Sequence, residues 1–391
     1  MGDDDIMKKV YLDNAATTFP KPKCVIDAMV DFMTNIGCNP GRGGYEQSLE
    51  SARLVFQTRT ALNDFFNGPG VDNVIFTPNI TTSLNIALKG MLKKDSHVIT
   101  TSLEHNSVMR PLRSLENERG ISCTVIKCSN NGTLNLEDIK KSIAQNTKAI
   151  VMTHASNLIG TILPIEDVGN LCRDYGLYFI VDTAQTAGTL NIDFKKSNMD
   201  VLTFTGHKGL LGPQGIGGFL ISDRADKVTS SFIEGGTGSK SHLEIQPDFL
   251  PDKFESGTLN TVGIAGLKAG IEFINYEGVD NIRLHESSLT GIFMDGLMSI
   301  KGIDIYGTRD INRQTSTIAI NIKDMDPSEA AYILDSQYGI MIRSGMHCTP
   351  LAHKTIGTFP RGALRFSIGY FNTEEEICYT LEALKKISNE Y

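Results

Sequence analysis

Apolar residues along this chain gather in two rhythms that alternate with each other. Short apolar runs at Val74–Thr77, His97–Thr100, Ile121–Ile126, Ala149–Thr153, Leu177–Val181, Val201–Thr205 and Gly218–Ile221 predict strands. Three- and four-residue spacing predicts helices between most of them, near 82–92, 107–119, 136–144 and 165–175. Two further helices precede the series. One begins at Pro22, carries Val25, Ile26, Met29, Val30 and Met33 on one face and is closed by Gly37. The other spans about 47–66, with Leu54, Thr58, Ala61, Leu62 and Phe65 at helical spacing. Such alternation implies an α/β fold, a mostly parallel sheet covered by helices on both faces.

After about residue 260 the rhythm changes. Helices are predicted over 262–277 and 280–299, and strands near 315–322 and 364–368. A last helix opens on a capping box, Thr373 with Glu376, and lines Ile377, Leu381 and Leu384 along one face. We read a large domain over 20–257 and a smaller α+β domain from 7–19 plus 258–391. The strand-like Lys9–Leu12 could pack with either. Met1–Ile6 holds three aspartates ahead of a second methionine, reads as a cloning remnant, and is set aside.

Composition narrows the function. With 37 basic and 45 acidic side chains the net charge is -8, which disfavours nucleic-acid or anionic-membrane partners. No apolar run is long enough to predict a membrane span. The 7 cysteines include no CxxC pair and fit free thiols in a reducing cytoplasm. Asn79-Ile80-Thr81 matches a glycosylation sequon, discounted for that setting. Gly235–Ser241 lacks the lysine placement of a P-loop, and no GxGxxG follows the first strand.

Ligands of open α/β sheets lie beyond the carboxyl ends of the strands, so the polar residues there carry the candidate chemistry. Phe179-Ile180-Val181 runs into Asp182, which alone could be a turn aspartate. Val201–Thr205 runs into Gly206-His207-Lys208-Gly209, where the lysine is either a solvated loop residue or a desolvated nucleophilic amine. A carboxylate and an amine at neighbouring strand ends suit pyridoxal phosphate (PLP), which needs a lysine for its aldehyde and an acid beside its ring nitrogen. Pro78–Ser83, leading into a helix, offers hydroxyls and backbone N–H groups for a phosphate, or is merely a capped helix.

Three segments, Tyr11–Thr18 (Tyr-Leu-Asp-Asn-Ala-Ala-Thr-Thr), Thr205-Gly-His-Lys208 continuing to Gly212-Pro-Gln-Gly215, and Phe254–Thr258, resemble class V aminotransferase-fold enzymes. Within these the chain is similar to the cysteine desulfurase and selenocysteine lyase group with a compact cysteine loop. The resemblance implies the PLP-dependent transferase fold of type I and a homodimer. It makes Lys208 the Schiff-base lysine, Asp182 the partner of the ring nitrogen and Gln185 the partner of the phenolic oxygen. His105 would stack on the ring, with Asn157 beside ring and substrate. Thr81, Thr82, Thr205 and His207 would hold the phosphate, and Thr258 that of the other subunit.

Near the C-terminus, Ile342-Arg-Ser-Gly-Met-His-Cys348 and Arg365 extend the likeness. Polar, glycine-containing neighbours place Cys348 in an accessible loop. The family makes Cys348 the nucleophile that takes sulfur as a persulfide, and Arg365 the partner of the substrate carboxylate. Met346 stands where these enzymes often carry a histidine. The reading is a cysteine desulfurase converting L-cysteine to alanine, with a protein as possible sulfur acceptor, as in iron-sulfur cluster assembly. Its alternatives are a selenocysteine lyase acting on L-selenocysteine, an aminotransferase or epimerase with Cys348 as bystander, and a catalytically silent sulfur-carrier or interaction protein. A metal held by His347, Cys348 and His353 lacks a clear fourth ligand, and none is expected.

Overall fold

The computed structural model describes residues 8–41 and 43–390; the acidic leader Met1–Ile6 lies outside them. The central sheet has 7 strands. They are β1 (Val74–Thr77), β2 (His97–Thr101), β3 (Ser122–Ile126), β4 (Thr147–Thr153), β5 (Tyr178–Asp182), β6 (Val201–Thr205) and β7 (Gly217–Ile221). Their order is β1-β7-β6-β5-β4-β2-β3. Neighbours run parallel except at β7, which is antiparallel to both β1 and β6.

Both faces of this sheet are covered, which explains the uninterrupted apolar runs. Successive side chains of one strand point to opposite faces. Phe179 and Val181 therefore enter one apolar core while Ile180, between them, enters the other. The polar residue that ends such a run, Asp182 on β5 or Thr205 on β6, has left both cores and meets the cleft at the strand ends.

A 4-stranded antiparallel sheet, ordered β10-β11-β9-β8, forms the second unit. It comprises β8 (Ile303–Tyr306), β9 (Thr317–Ile322), β10 (Arg343–Gly345) and β11 (Ala363–Ser367). Helices Val279–Ser299, Pro327–Tyr338 and Glu374–Glu390 close its own core around Phe293, Ile320, Leu334, Phe366 and Leu384. Val10–Tyr11 pairs in parallel with Ile340–Met341, so the N-terminal segment joins this unit. Helix Thr261–Glu277, which the sequence reading gives to the smaller domain, packs Ile264, Leu267, Ile271 and Ile274 into the large core. The capping box forms in both directions: Glu376 N–H donates to Thr373 Oγ1 at 3.3 Å, and Thr373 N–H to Glu376 Oε2 at 3.2 Å. The stretch after Cys348 is ordered, as helix Pro350–Ile356 with Ala352, His353, Thr355 and Ile356 buried. No helix among the described residues is long and apolar enough to cross a membrane.

Candidate active site

A cleft of about 230 Å³ opens where the carboxyl ends of β4, β5 and β6 meet the smaller unit. Thr81, His105, Asn157, Asp182, Gln185, Thr205, His207, Lys208 and Arg365 all line it. Thr82 and Thr258 do not. They line a neighbouring cavity of about 280 Å³ beside Phe76 and Glu255. Cys348 lies in the wall of an outer cleft, which shares Thr81, His105 and Ser107 with the inner one.

Lys208 follows β6 in a turn held by the N-terminal segment: Thr18 Oγ1 donates to the Lys208 carbonyl at 3.1 Å, and Lys21 Nζ to the His207 carbonyl at 2.7 Å. Burial pushes the Lys208 amine down to about 8, and Arg365 and Arg343 push the same way while Asp182 and Asp13 pull back. Asp182 is buried, and loss of solvent raises its carboxyl, opposed by the Ala184 N–H at 2.9 Å and by Lys208. Burial also pushes His105 and His207 down to about 4, so both rings are neutral near pH 7. His105 caps helix Asn106–Arg119, its Nδ1 accepting the Ser107 N–H at 3.1 Å. Ser107 Oγ in turn lies 2.8 Å from Thr81 Oγ1.

Several buried polar atoms here have no protein partner: Thr205 Oγ1, His207 Nδ1, Asn157 Oδ1 and Arg365 Nε. Buried polar atoms are rarely left unpaired, so a cleft collecting several is shaped for a polar ligand. Arg365 is otherwise engaged, donating to the Asn157 carbonyl at 3.0 Å and to Asp13 Oδ1 at 2.6 Å.

Three hydrogen bonds dock the Cys348 loop on the large unit. Asn157 Nδ2 donates to the His347 carbonyl at 2.8 Å, the Asn106 N–H to the Cys348 carbonyl at 2.8 Å, and Thr349 Oγ1 to the Glu104 carbonyl at 3.0 Å. His347 and Cys348 both adopt positive φ, 48° and 57°. Strain of that kind persists only where surroundings over-determine it. Cys348 is exposed and free. His347 and His353 stack with ring centroids 5.8 Å apart, and among the described residues no group of His, Cys, Asp and Glu is placed to hold a metal.

Comparison with known proteins follows this geometry. The class V aminotransferase family matches residues 10–379. The chain belongs to that family. A relative from Methanothermobacter thermautotrophicus named "Probable cysteine desulfurase" is 35% identical, over 97% of this chain and 94% of its own length. One of the same name from Pyrococcus abyssi is 33% identical, over 97% and 94%. The apo structure of cysteine desulfurase from Thermococcus onnurineus NA1 superposes with a TM-score of 0.91 at 30% identity, covering 98% of this chain and 95% of that one. Membership implies PLP as the cofactor and the type I fold described above.

Around this cleft, the sequence reading assigns no role to Asp13, Ser107 or Arg343, although Asp13 and Arg343 fall within the motifs it quotes. Arg343 pairs with Arg365 across β10 and β11, so both cations belong to one edge of the cleft. The register of two distant strands carries that signal, and no local spacing shows it.

Proposed function

We propose that the protein is a PLP-dependent cysteine desulfurase that converts L-cysteine to L-alanine and leaves a persulfide on Cys348. The observation that carries this reading is the placement of Cys348. Its exposed thiol sits on a strained, docked loop whose outer cleft runs into the Lys208 cleft at Thr81, His105 and Ser107.

The residues fit the cofactor. Lys208 would hold it covalently, Asp182 would face the ring nitrogen, Gln185 the phenolic oxygen and His105 the ring face. Thr81, Thr205 and His207 would take the phosphate, two of them with buried atoms that have no protein partner. Thr82 and Thr258 line the adjoining cavity instead, and in the homodimer that the family resemblance implies Thr258 would reach the phosphate of the other subunit. Bound there, PLP supplies an electron sink for negative charge at the substrate α-carbon.

Arg365 and Asn157 orient the substrate carboxylate. Lys208, whose burial lowers its proton affinity to about 8 and so makes the free amine accessible at mildly alkaline pH, removes the proton at Cα and can return it. The Cys348 thiolate attacks the substrate sulfur. A bond forms between Cys348 Sγ and that sulfur, the substrate Cβ–S bond breaks, and the electron pair left on carbon is quenched by a proton to give alanine. Cysteine and thiol thus become alanine and persulfide with no external oxidant.

Incubation with L-cysteine followed by mass spectrometry tests the reading. Expected are alanine and one added sulfur on the Cys348 peptide. Alanine without added sulfur there, or a Cys348→Ala variant of unchanged rate on cysteine, would overturn it. Loss on cysteine with activity kept on L-selenocysteine is the pattern expected of the Cys348→Ala variant, whereas an intact enzyme that acts on L-selenocysteine and not on L-cysteine would mark the selenocysteine lyase alternative.

A further inference from the structure

The outer cleft beside Cys348 measures about 480 Å³, and Arg110 and Lys89 face it from helices Asn106–Arg119 and Ile80–Met91. Lys89 also lines the next cleft, of about 710 Å³, together with Lys93, Lys94 and Arg119. Glu118 is the sole acid among the residues lining either space. Crowding of like charge is already felt, since burial and then repulsion from Arg119 and Lys253 hold the Lys93 ammonium below its ordinary value. The chain as a whole carries -8, so this basic strip runs against the field of the molecule.

We propose that the sulfur on Cys348 passes to an acidic protein segment bearing a thiol, docked along the strip from Arg110 through Lys89 to Lys94. The inference rests on the desulfurase reading and names its acceptor by chemistry. A small thiol would occupy the outer cleft alone and gain nothing from cations in the next one. A nucleic acid would meet the net negative charge of the rest of the surface, whereas a peptide also finds an apolar contact at Phe232, 44% exposed with Lys89 Nζ 5.1 Å above its ring. Opposite charge steers such a segment to the thiol and sets its register.

The transfer balances without a redox partner. The acceptor thiolate attacks the outer sulfur of the persulfide and forms a new S–S bond. The bond between that sulfur and Cys348 Sγ breaks, and its electron pair returns to Sγ as thiolate.

The test loads holoenzyme with ³⁵S-labelled cysteine and offers two synthetic peptides of equal length, each with one cysteine, flanked by Asp and Glu or by Asn and Gln. The acidic peptide is expected to take label about tenfold faster at low salt, with the advantage shrinking towards unity by about 0.5 M salt. Arg110→Glu with Lys89→Glu should cancel the advantage while leaving alanine formation with dithiothreitol unchanged. The milder Arg110→Gln with Lys89→Gln should halve it or more, and guards against a folding defect. Equal rates for the two peptides, an advantage that survives charge reversal, or displacement of the acidic peptide by an RNA oligonucleotide of matching charge would each overturn the proposal. Failure to label Cys348 when no acceptor thiol is present, together with no alanine formed when dithiothreitol is supplied, would overturn the desulfurase reading beneath it.

Discussion

At Lys208 opposing fields act on one amine: burial, Arg365 and Arg343 lower its proton affinity to about 8, and Asp182 and Asp13 restrain the fall. The neutral amine is the form that attacks an aldehyde. Capture of PLP by the apoprotein, followed by absorbance, is therefore expected to accelerate through about pH 8 and level off above it. Asp182→Asn removes a group that favours the charged amine, so the midpoint should move lower. Lys208→Ala should leave no borohydride-fixed adduct. These residues were legible in sequence because each ends an apolar strand, where the pattern itself marks the exit from the core. Asp13 was not, since its meaning lies in an ion pair with Arg365 that joins opposite ends of the chain.

Among the elements, the loop from β10 to helix Pro350–Ile356 carries the most consequence. Thr349 is fully buried, and its hydroxyl bond to the Glu104 carbonyl fixes the residue after Cys348. Thr349→Val keeps the shape and leaves a buried carbonyl with one donor fewer, a loss of about 1–2 kcal/mol in thermal or urea unfolding. Cofactor absorbance should persist while persulfide formation on Cys348 slows, which a purely structural role would not separate. Gly362, at φ 83°, lies so near β10 that a Cβ would sit 2.8 Å from the Gly345 carbonyl carbon. Gly362→Ala is expected to lose more than about 1 kcal/mol. The long apolar strands of the large sheet were readable within a residue or two. β8 and β10 were not, being short, with Asp304 and Arg343 exposed, and neither was the helix that follows Cys348.

For the whole molecule, buried titratable groups set how stability varies with pH. Burial pushes His105, His154, His207 and His353 down to about 4 and His347 to about 3. Each binds its proton more weakly folded than unfolded, so the stability it contributes is lost as pH falls below 6.5. Glu104 and Glu286 go the other way, raised by burial from 4.5 to about 8 and about 7. Their contribution fades as pH rises through those values. The histidines outnumber the glutamates, so denaturant unfolding of the apoprotein should show a maximum near pH 6.5. Glu104→Gln should flatten the limb between pH 6.5 and 8, and a profile that keeps climbing across that interval would contradict this account. Sequence places Glu104 and His154 among the polar residues that directly follow strands, but their shifted proton affinities come from tertiary burial that no local pattern shows.

Arg365 is held by Asp13 before any amino acid arrives. In the reaction proposed above an incoming carboxylate competes with Asp13 for this guanidinium, whose Nε alone has no protein partner, so affinity reflects the difference between two nearly matched partners. Such an exchange favours weak retention and quick departure of alanine. It also makes Asp13→Asn a route to tighter substrate binding with slower turnover.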